Sequence, residues 1–97
     1  MKKLNLKKEL RNIAGKIVFD EVGKPLMLHE IVAECLPQGN SGNATKMMSI
    51  CIRLVERGEV ELDDSDIEFF KVAVKNCRTA TDLVLAQVHK EIDMQLK

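Results

Sequence analysis

Residues 59–77 read EVELDDSDIEFFKVAVKNC, and this stretch decides the fold class. Glu59-Val60-Glu61-Leu62 alternates polar and apolar residues, too briefly for more than an extended connection or a short strand. Asp63 then stands where a helix N-cap belongs. Asp64 and Asp66 place negative charge at the positive end of the helix dipole, and Leu62 at N′ is positioned to pack on Ile67 at N4. Ile67, Phe70, Ala73, Val74 and Cys77 recur at helical spacing and predict an inward stripe, with Lys75 and Arg78 near the negative end of the dipole.

Working outward, the same periodicity recurs on both sides. Downstream, Thr79 or Thr81 caps a last helix whose Leu85, Val88, Ile92 and Leu96 (or neighbouring Val84) face inward. Upstream, Leu28, Ile31, Val32, Cys35 and Leu36 paint one face of a helix that Pro37 stops. Residues 38–43, QGNSGN, read as a loop. Met47, Ile50, Cys51, Leu54 and Val55 form the stripe of a longer, central helix, with Gly58 as its C-cap behind Arg57.

The amino-terminal part predicts two further elements. Leu6, Leu10 and Ile13, with Asn5 as N-cap and Gly15 just beyond, read as a short amphipathic helix. Ile17–Phe19 and Leu26–Leu28 flank Asp20-Glu21-Val22-Gly23 as the arms of a β-hairpin, in which Pro25 belongs at an edge or a strand start. On this reading the sequence carries no internal repeat and no low-complexity tract. The expectation is one domain over 1–97, α+β and mostly α: an N-terminal helix and short β-hairpin over 1–28, packed on a bundle of about four helices over 28–97.

Composition narrows the function classes. A chain of 97 residues supports one core. Fifteen Lys and Arg balance fifteen Asp and Glu, which argues against polyanion binding by bulk charge, although Lys2, Lys3, Lys7 and Lys8 concentrate cations at the start, which read as a solvated helix face or a frayed terminus. Phe19, Phe69 and Phe70 are the only aromatic residues, too few for a stacking platform. Cys35, Cys51 and Cys77 are widely spaced at apolar helical positions, which predicts small buried hydrophobes in a reducing compartment, with no disulfide and no zinc site. No apolar run reaches the roughly 18–20 residues of a membrane span, and MKKLNLKKELRNIAG lacks a signal core, so a cytosolic protein is expected.

Chemistry-bearing patterns in the chain fail on spacing. The acidic run from Glu59 to Glu68, read as an EF-hand loop from Asp63, supplies Ser65, Ile67, Glu68 and Val74 where oxygen ligands, glycine and glutamate are needed. Gly39, Gly42 and Lys46 lack the Gly-Lys-Ser/Thr ending of a phosphate loop. His29 and His89 have no nucleophile at a recognised spacing and read as surface histidines, and a meeting of Cys77 with His89 depends on tertiary structure. No catalytic residue, metal ligand or cofactor is therefore expected. An alternative reading is a winged-helix DNA binder using Asn43, Lys46, Arg53 and Arg57 on the second of two consecutive helices. Against it stands the acidic segment where a wing would approach phosphate.

The order of features also carries a resemblance. Gly15-Lys16-Ile17 leads into Asp20-Glu21-Val22-Gly23-Lys24-Pro25-Leu26-Met27-Leu28, and Gly58-Glu59-Val60-Glu61-Leu62-Asp63 opens a helix. In these motifs the chain resembles a group of small proteins encoded in tailed bacteriophage and prophage genomes, over roughly residues 4–96. It departs from that pattern at Val22, where an Asp is usual, and at the polar joint Arg78-Thr79-Ala80-Thr81. The shared motifs are turns and caps, so no functional residue is carried over. The resemblance implies a non-enzymatic protein of the bacterial host cytoplasm that binds another protein, a component of head–tail or tail morphogenesis, with self-association left open. Met27, Met47, Met48 and Met94 suit such a surface and suit a core equally.

Overall fold

Of the four helices, the last three begin at a side-chain cap and the first at Met27 without one. The computed structural model describes residues 1–39 and 42–96. Helices α1 (Leu28–Cys35), α2 (Ala44–Arg57), α3 (Asp64–Lys75) and α4 (Asp82–Gln95) enclose one core with a two-stranded sheet, β1 (Lys2–Asn5) and β2 (Glu59–Leu62). The fold is α+β and mostly helical, as expected. Asp63 Oδ1 accepts from the Asp66 N–H at 2.8 Å, with Leu62 and Ile67 both buried beside it. Thr81, not Thr79, caps α4. A single 3₁₀ turn, Leu36–Gln38, carries Pro37 past the end of α1. Residues 40 and 41 of the expected QGNSGN loop lie outside the described residues.

The stripes close on one another around Phe70, Leu54, Val74 and Val88, all fully buried. Phe70 alone represents about 3–5 kcal/mol on truncation to alanine. One expectation about faces needs correction. Val55 points outward, 62% exposed, because at 100° per residue it lies beyond the edge of the stripe centred on Leu54. Val84, Val88, Ile92 and Leu96 line the inner face of α4, and Leu85 is half-buried at its margin.

The larger correction lies at the amino terminus, where the expected helix over Leu6–Ile13 does not form. Lys2–Asn5 is a strand antiparallel to β2, with Lys2 opposite Leu62, Lys3 opposite Glu61, Leu4 opposite Val60 and Asn5 opposite Glu59. Leu4 and Leu6 are fully buried two residues apart, the period of a strand, whereas Ile13 is 99% exposed. The basic start and the acidic run also prove to be neighbours: Lys3 Nζ lies 3.5 Å from Glu59 Oε1.

After β1 the chain makes two matched turns. Asn12 and Asp20 occupy equivalent positions: each backbone N–H donates to the Lys carbonyl four residues on, and each Oδ1 accepts from that Lys N–H (Lys16 and Lys24). Gly15 and Gly23 supply the left-handed residue of each turn, at φ of 82° and 87°. The turn over Asp20–Lys24 thus forms as expected, but the arms Ile17–Phe19 and Leu26–Leu28 are not strands: an isolated bridge, Phe19 with Pro25, joins them, and Leu28 already opens α1. The chain closes on itself in a ring of three hydrogen bonds: Val18 N–H to Leu10, Leu10 N–H to Leu26, and Leu26 N–H to Val18. Residues 11–18 (RNIAGKIV) and 19–26 (FDEVGKPL) are therefore an eight-residue structural repeat, contrary to the expectation of none.

Candidate binding surface

α2 has two faces that do different things. Its N-cap is Asn43, whose Oδ1 accepts from the Lys46 N–H at 3.1 Å. Met47, Ile50, Cys51 and Leu54 are buried against the core. Met48, Ile52 and Val55 project from the other side at offsets of four and three, between 49% and 62% exposed. Thr45, Ser49 and Arg53 border the shallow hollow in which Met48 and Ile52 stand. Met48 also forms one wall of a second hollow with Pro37, and Met47 is common to that hollow and to a deeper groove.

The deeper groove, about 660 Å³, runs between the end of α1, α2 and α3. Leu36, Met47, Phe69, Val72 and Ala73 form its apolar walls, and Glu68 and Arg78 stand among its polar lining. Cys35 and Cys77 both open into it. These two thiols are half-buried, so the expectation of three simple core cysteines holds for Cys51 alone. Thr79 links the two: its hydroxyl donates to the Cys35 carbonyl at 3.1 Å and lies 3.5 Å from Cys77 Sγ.

The residues named for DNA recognition do not share one basic face. Lys46 Nζ lies 2.8 Å from Asp66 Oδ1 and 5.4 Å from the Phe69 ring centre, which ties it to α3. The Asp66 carboxylate beside it raises the Lys46 pKa, and Lys46 in turn lowers that of Asp66. Arg53 and Arg57 border a different hollow, shared with Lys3 and the carboxylates Glu56, Glu59 and Glu61. Asn43 serves as the helix cap. His29 is buried rather than on the surface: it sits in the first turn of α1, its backbone N–H donates to the Leu6 carbonyl, and its Nδ1 has no partner among the described residues. Cys77 has Thr79 as its hydrogen-bond neighbour, not His89.

Among the described residues, no three His, Cys, Asp or Glu side chains come together to hold a metal ion, and no helix is long and apolar enough to cross a membrane. The exposed α2 stripe was missed because its residues were read against one inward stripe only. The signal was present, since Met48, Ile52 and Val55 have helical spacing of their own. The shared groove of Cys35 and Cys77 had no such signal, because it joins the ends of two helices far apart in sequence. Compared with known proteins, the chain matches no family model, no curated sequence and no solved structure.

Proposed function

We propose that this protein is a non-catalytic module that binds another protein, and that the exposed face of α2 is where the partner docks. One observation carries the reading: Met48, Ile52 and Val55 remain exposed in a row along a helix whose opposite face already fills the core. An apolar ridge bordered by Thr45, Ser49 and Arg53 suits the apolar face of a partner helix. The resemblance to small phage and prophage proteins suggests a morphogenesis component as that partner. The engagement of Lys46 by Asp66 and the carboxylates around Arg53 and Arg57 weigh against the winged-helix alternative.

The test compares wild type with Ile52→Asp and with Met48→Asp, after circular dichroism and melting establish that each variant folds. Each is immobilised and exposed to extract from phage-induced cells. Partners retained by wild type and lost by both variants support the reading; identical retained sets overturn it. Duplex DNA titrated at low salt separates the alternative, since even non-specific phosphate contacts register there.

A further inference from the structure

The two-stranded sheet has two edges, and α4 closes one of them through Gln95. In the register of β1 with β2, the Leu6 N–H donates to the Gly58 carbonyl, so the pairs that exchange ladder hydrogen bonds are the alternate ones, Leu4 with Val60 and Lys2 with Leu62. The backbone groups of Lys3 and Asn5 therefore point away from β2, which is where Gln95 meets Asn5. By the same alternation the N–H and carbonyl groups of Glu59 and Glu61 point away from β1. No third strand pairs there, and among the described residues no hydrogen bond reaches these four groups. Val60 and Leu62 are buried, while Glu61 is exposed. The outer edge of β2 is thus a short, open template for a further strand.

Charge narrows what the edge accepts. Glu59 has Lys3 at 3.5 Å and Arg57 two residues before it. Glu61 has no ion pair among the described residues, and the exposed Asp63 and Asp64 follow it. A second copy fits poorly, because β2 laid antiparallel on its own copy sets Glu61 against Glu59 or Glu61, and like charges directly opposite repel. The outer edge of β1 in another copy is already held by its own Gln95. We propose that the outer edge of β2 takes up an extended segment of another protein as an added antiparallel strand, with a lysine or arginine opposite Glu61. The backbone of Glu59 and Glu61 supplies the hydrogen bonds, and the carboxylate of Glu61 selects the basic residue. This assignment does not rest on the docking face of α2.

The probe is a short acetylated peptide of alternating lysine and valine, titrated into the folded full-length chain while amide hydrogen exchange is followed by NMR. In the free protein the Glu61 amide is expected to exchange at least roughly tenfold faster than those of Val60 and Leu62, and the peptide to slow it. N-methylation of the peptide lysines, whose N–H groups face Glu61 and Glu59, abolishes binding, whereas N-methylation of the valines leaves it. Glu61→Lys weakens the lysine peptide roughly tenfold and favours a glutamate–valine one. Glu61→Pro, which removes only an outward N–H, keeps the fold and loses the peptide, while Val60→Pro, which removes a ladder bond, lowers Tm sharply. A Glu61 amide already protected in the free chain, protection that rises with protein concentration alone, no protection on adding peptide, or equal binding by the lysine-methylated peptide would each overturn the assignment.

Discussion

The side-chain amide of Gln95 accepts from the backbone N–H of Asn5 at 2.7 Å and donates to its carbonyl at 2.9 Å, so a residue of α4 serves β1 as a neighbouring strand would. Gln87 does the same for Arg11, accepting from its N–H and donating to its carbonyl. Two glutamines on one helix thus occupy backbone groups of the amino-terminal segment that would otherwise be an unpaired edge. Residues ninety positions apart are joined in this way.

Removing this clasp is expected to loosen β1. Gln95→Ala should cost about 1–2 kcal/mol, as three hydrogen bonds, two to the Asn5 backbone and one to Glu91 Oε2, are lost at a partly exposed site. Gln95→Glu should recover little, because the carboxylate keeps the acceptor and loses the donor. Urea unfolding of the single variants and of Gln87→Ala,Gln95→Ala checks this, with the two rungs expected to add.

Gly58 should tolerate no side chain. It closes α2 in the left-handed conformation at φ 72°, its carbonyl accepts from Leu6, and an added Cβ would stand 2.6 Å from Lys7 Cβ. Gly58→Ala therefore meets backbone strain and a clash together, and a loss on the order of 2–3 kcal/mol is expected. Gly23→Ala is the control: φ is 87° but nothing lies within 4 Å of the new atom, so only the conformational penalty of about 1 kcal/mol applies. Comparing the two melting points isolates the close approach of Lys7.

His29 should be replaceable without loss. Its Nδ1 is buried with no partner among the described residues, and such an orphan costs about 1–3 kcal/mol relative to a satisfied group. His29→Leu fills the same place with apolar atoms, and equal or higher stability in denaturant is expected. A large loss would show that the imidazole makes a contact on which α1 depends.

Alkaline pH should destabilise the fold through Cys51. Its folded-state pKa of about 11 stands above its ordinary 9.0, so the unfolded chain releases the proton first. Stability is complete below the ordinary value and falls as pH rises from there toward the folded one. At about 1.4 kcal/mol per pH unit the loss is at most ~3 kcal/mol. Cys51→Ala should flatten this stretch of the stability–pH curve, at the expense of some packing.

The Lys46–Asp66 pair has its own pH window. Asp66, held below the ordinary carboxylate range, stabilises the fold above that range and loses its contribution as pH falls through its folded pKa. Lys46, held above the ordinary lysine range, keeps its contribution until pH rises through its own. A double-mutant cycle of Lys46→Met and Asp66→Asn should show coupling at neutral pH that vanishes in strong acid.

Much of the helical framework was legible, because caps and stripes are local. Asp63 with Asp66, Thr81 with Val84, and Gly58 behind Arg57 are all interactions within a few residues of chain, and each forms where the spacing places it. The amino terminus was misread for a specific reason. Leu6, Leu10 and Ile13 fit a helical period, while the buried pair Leu4 and Leu6 fits a strand, and only the availability of β2 decides between them. The eight-residue repeat is faint in the sequence because few positions correspond: Asn12/Asp20, Gly15/Gly23 and Lys16/Lys24 set the turn and Val18/Leu26 keep an aliphatic side chain, while Arg11/Phe19, Ile13/Glu21 and Ile17/Pro25 differ outright.

From its amino acids alone this chain determines where four helices start and stop and which faces they bury, since those choices rest on hydrogen bonds and side-chain periods spanning one or two turns. Tertiary structure decided that Lys2–Asn5 pairs with Glu59–Leu62, that Gln95 closes on Asn5, that Lys46 turns to Asp66, and that Cys35 and Cys77 open on one groove while Cys51 does not. These relationships join segments distant along the chain. No local pattern encodes them, because what selects each partner is the shape and charge of a surface that exists only once the helices have packed.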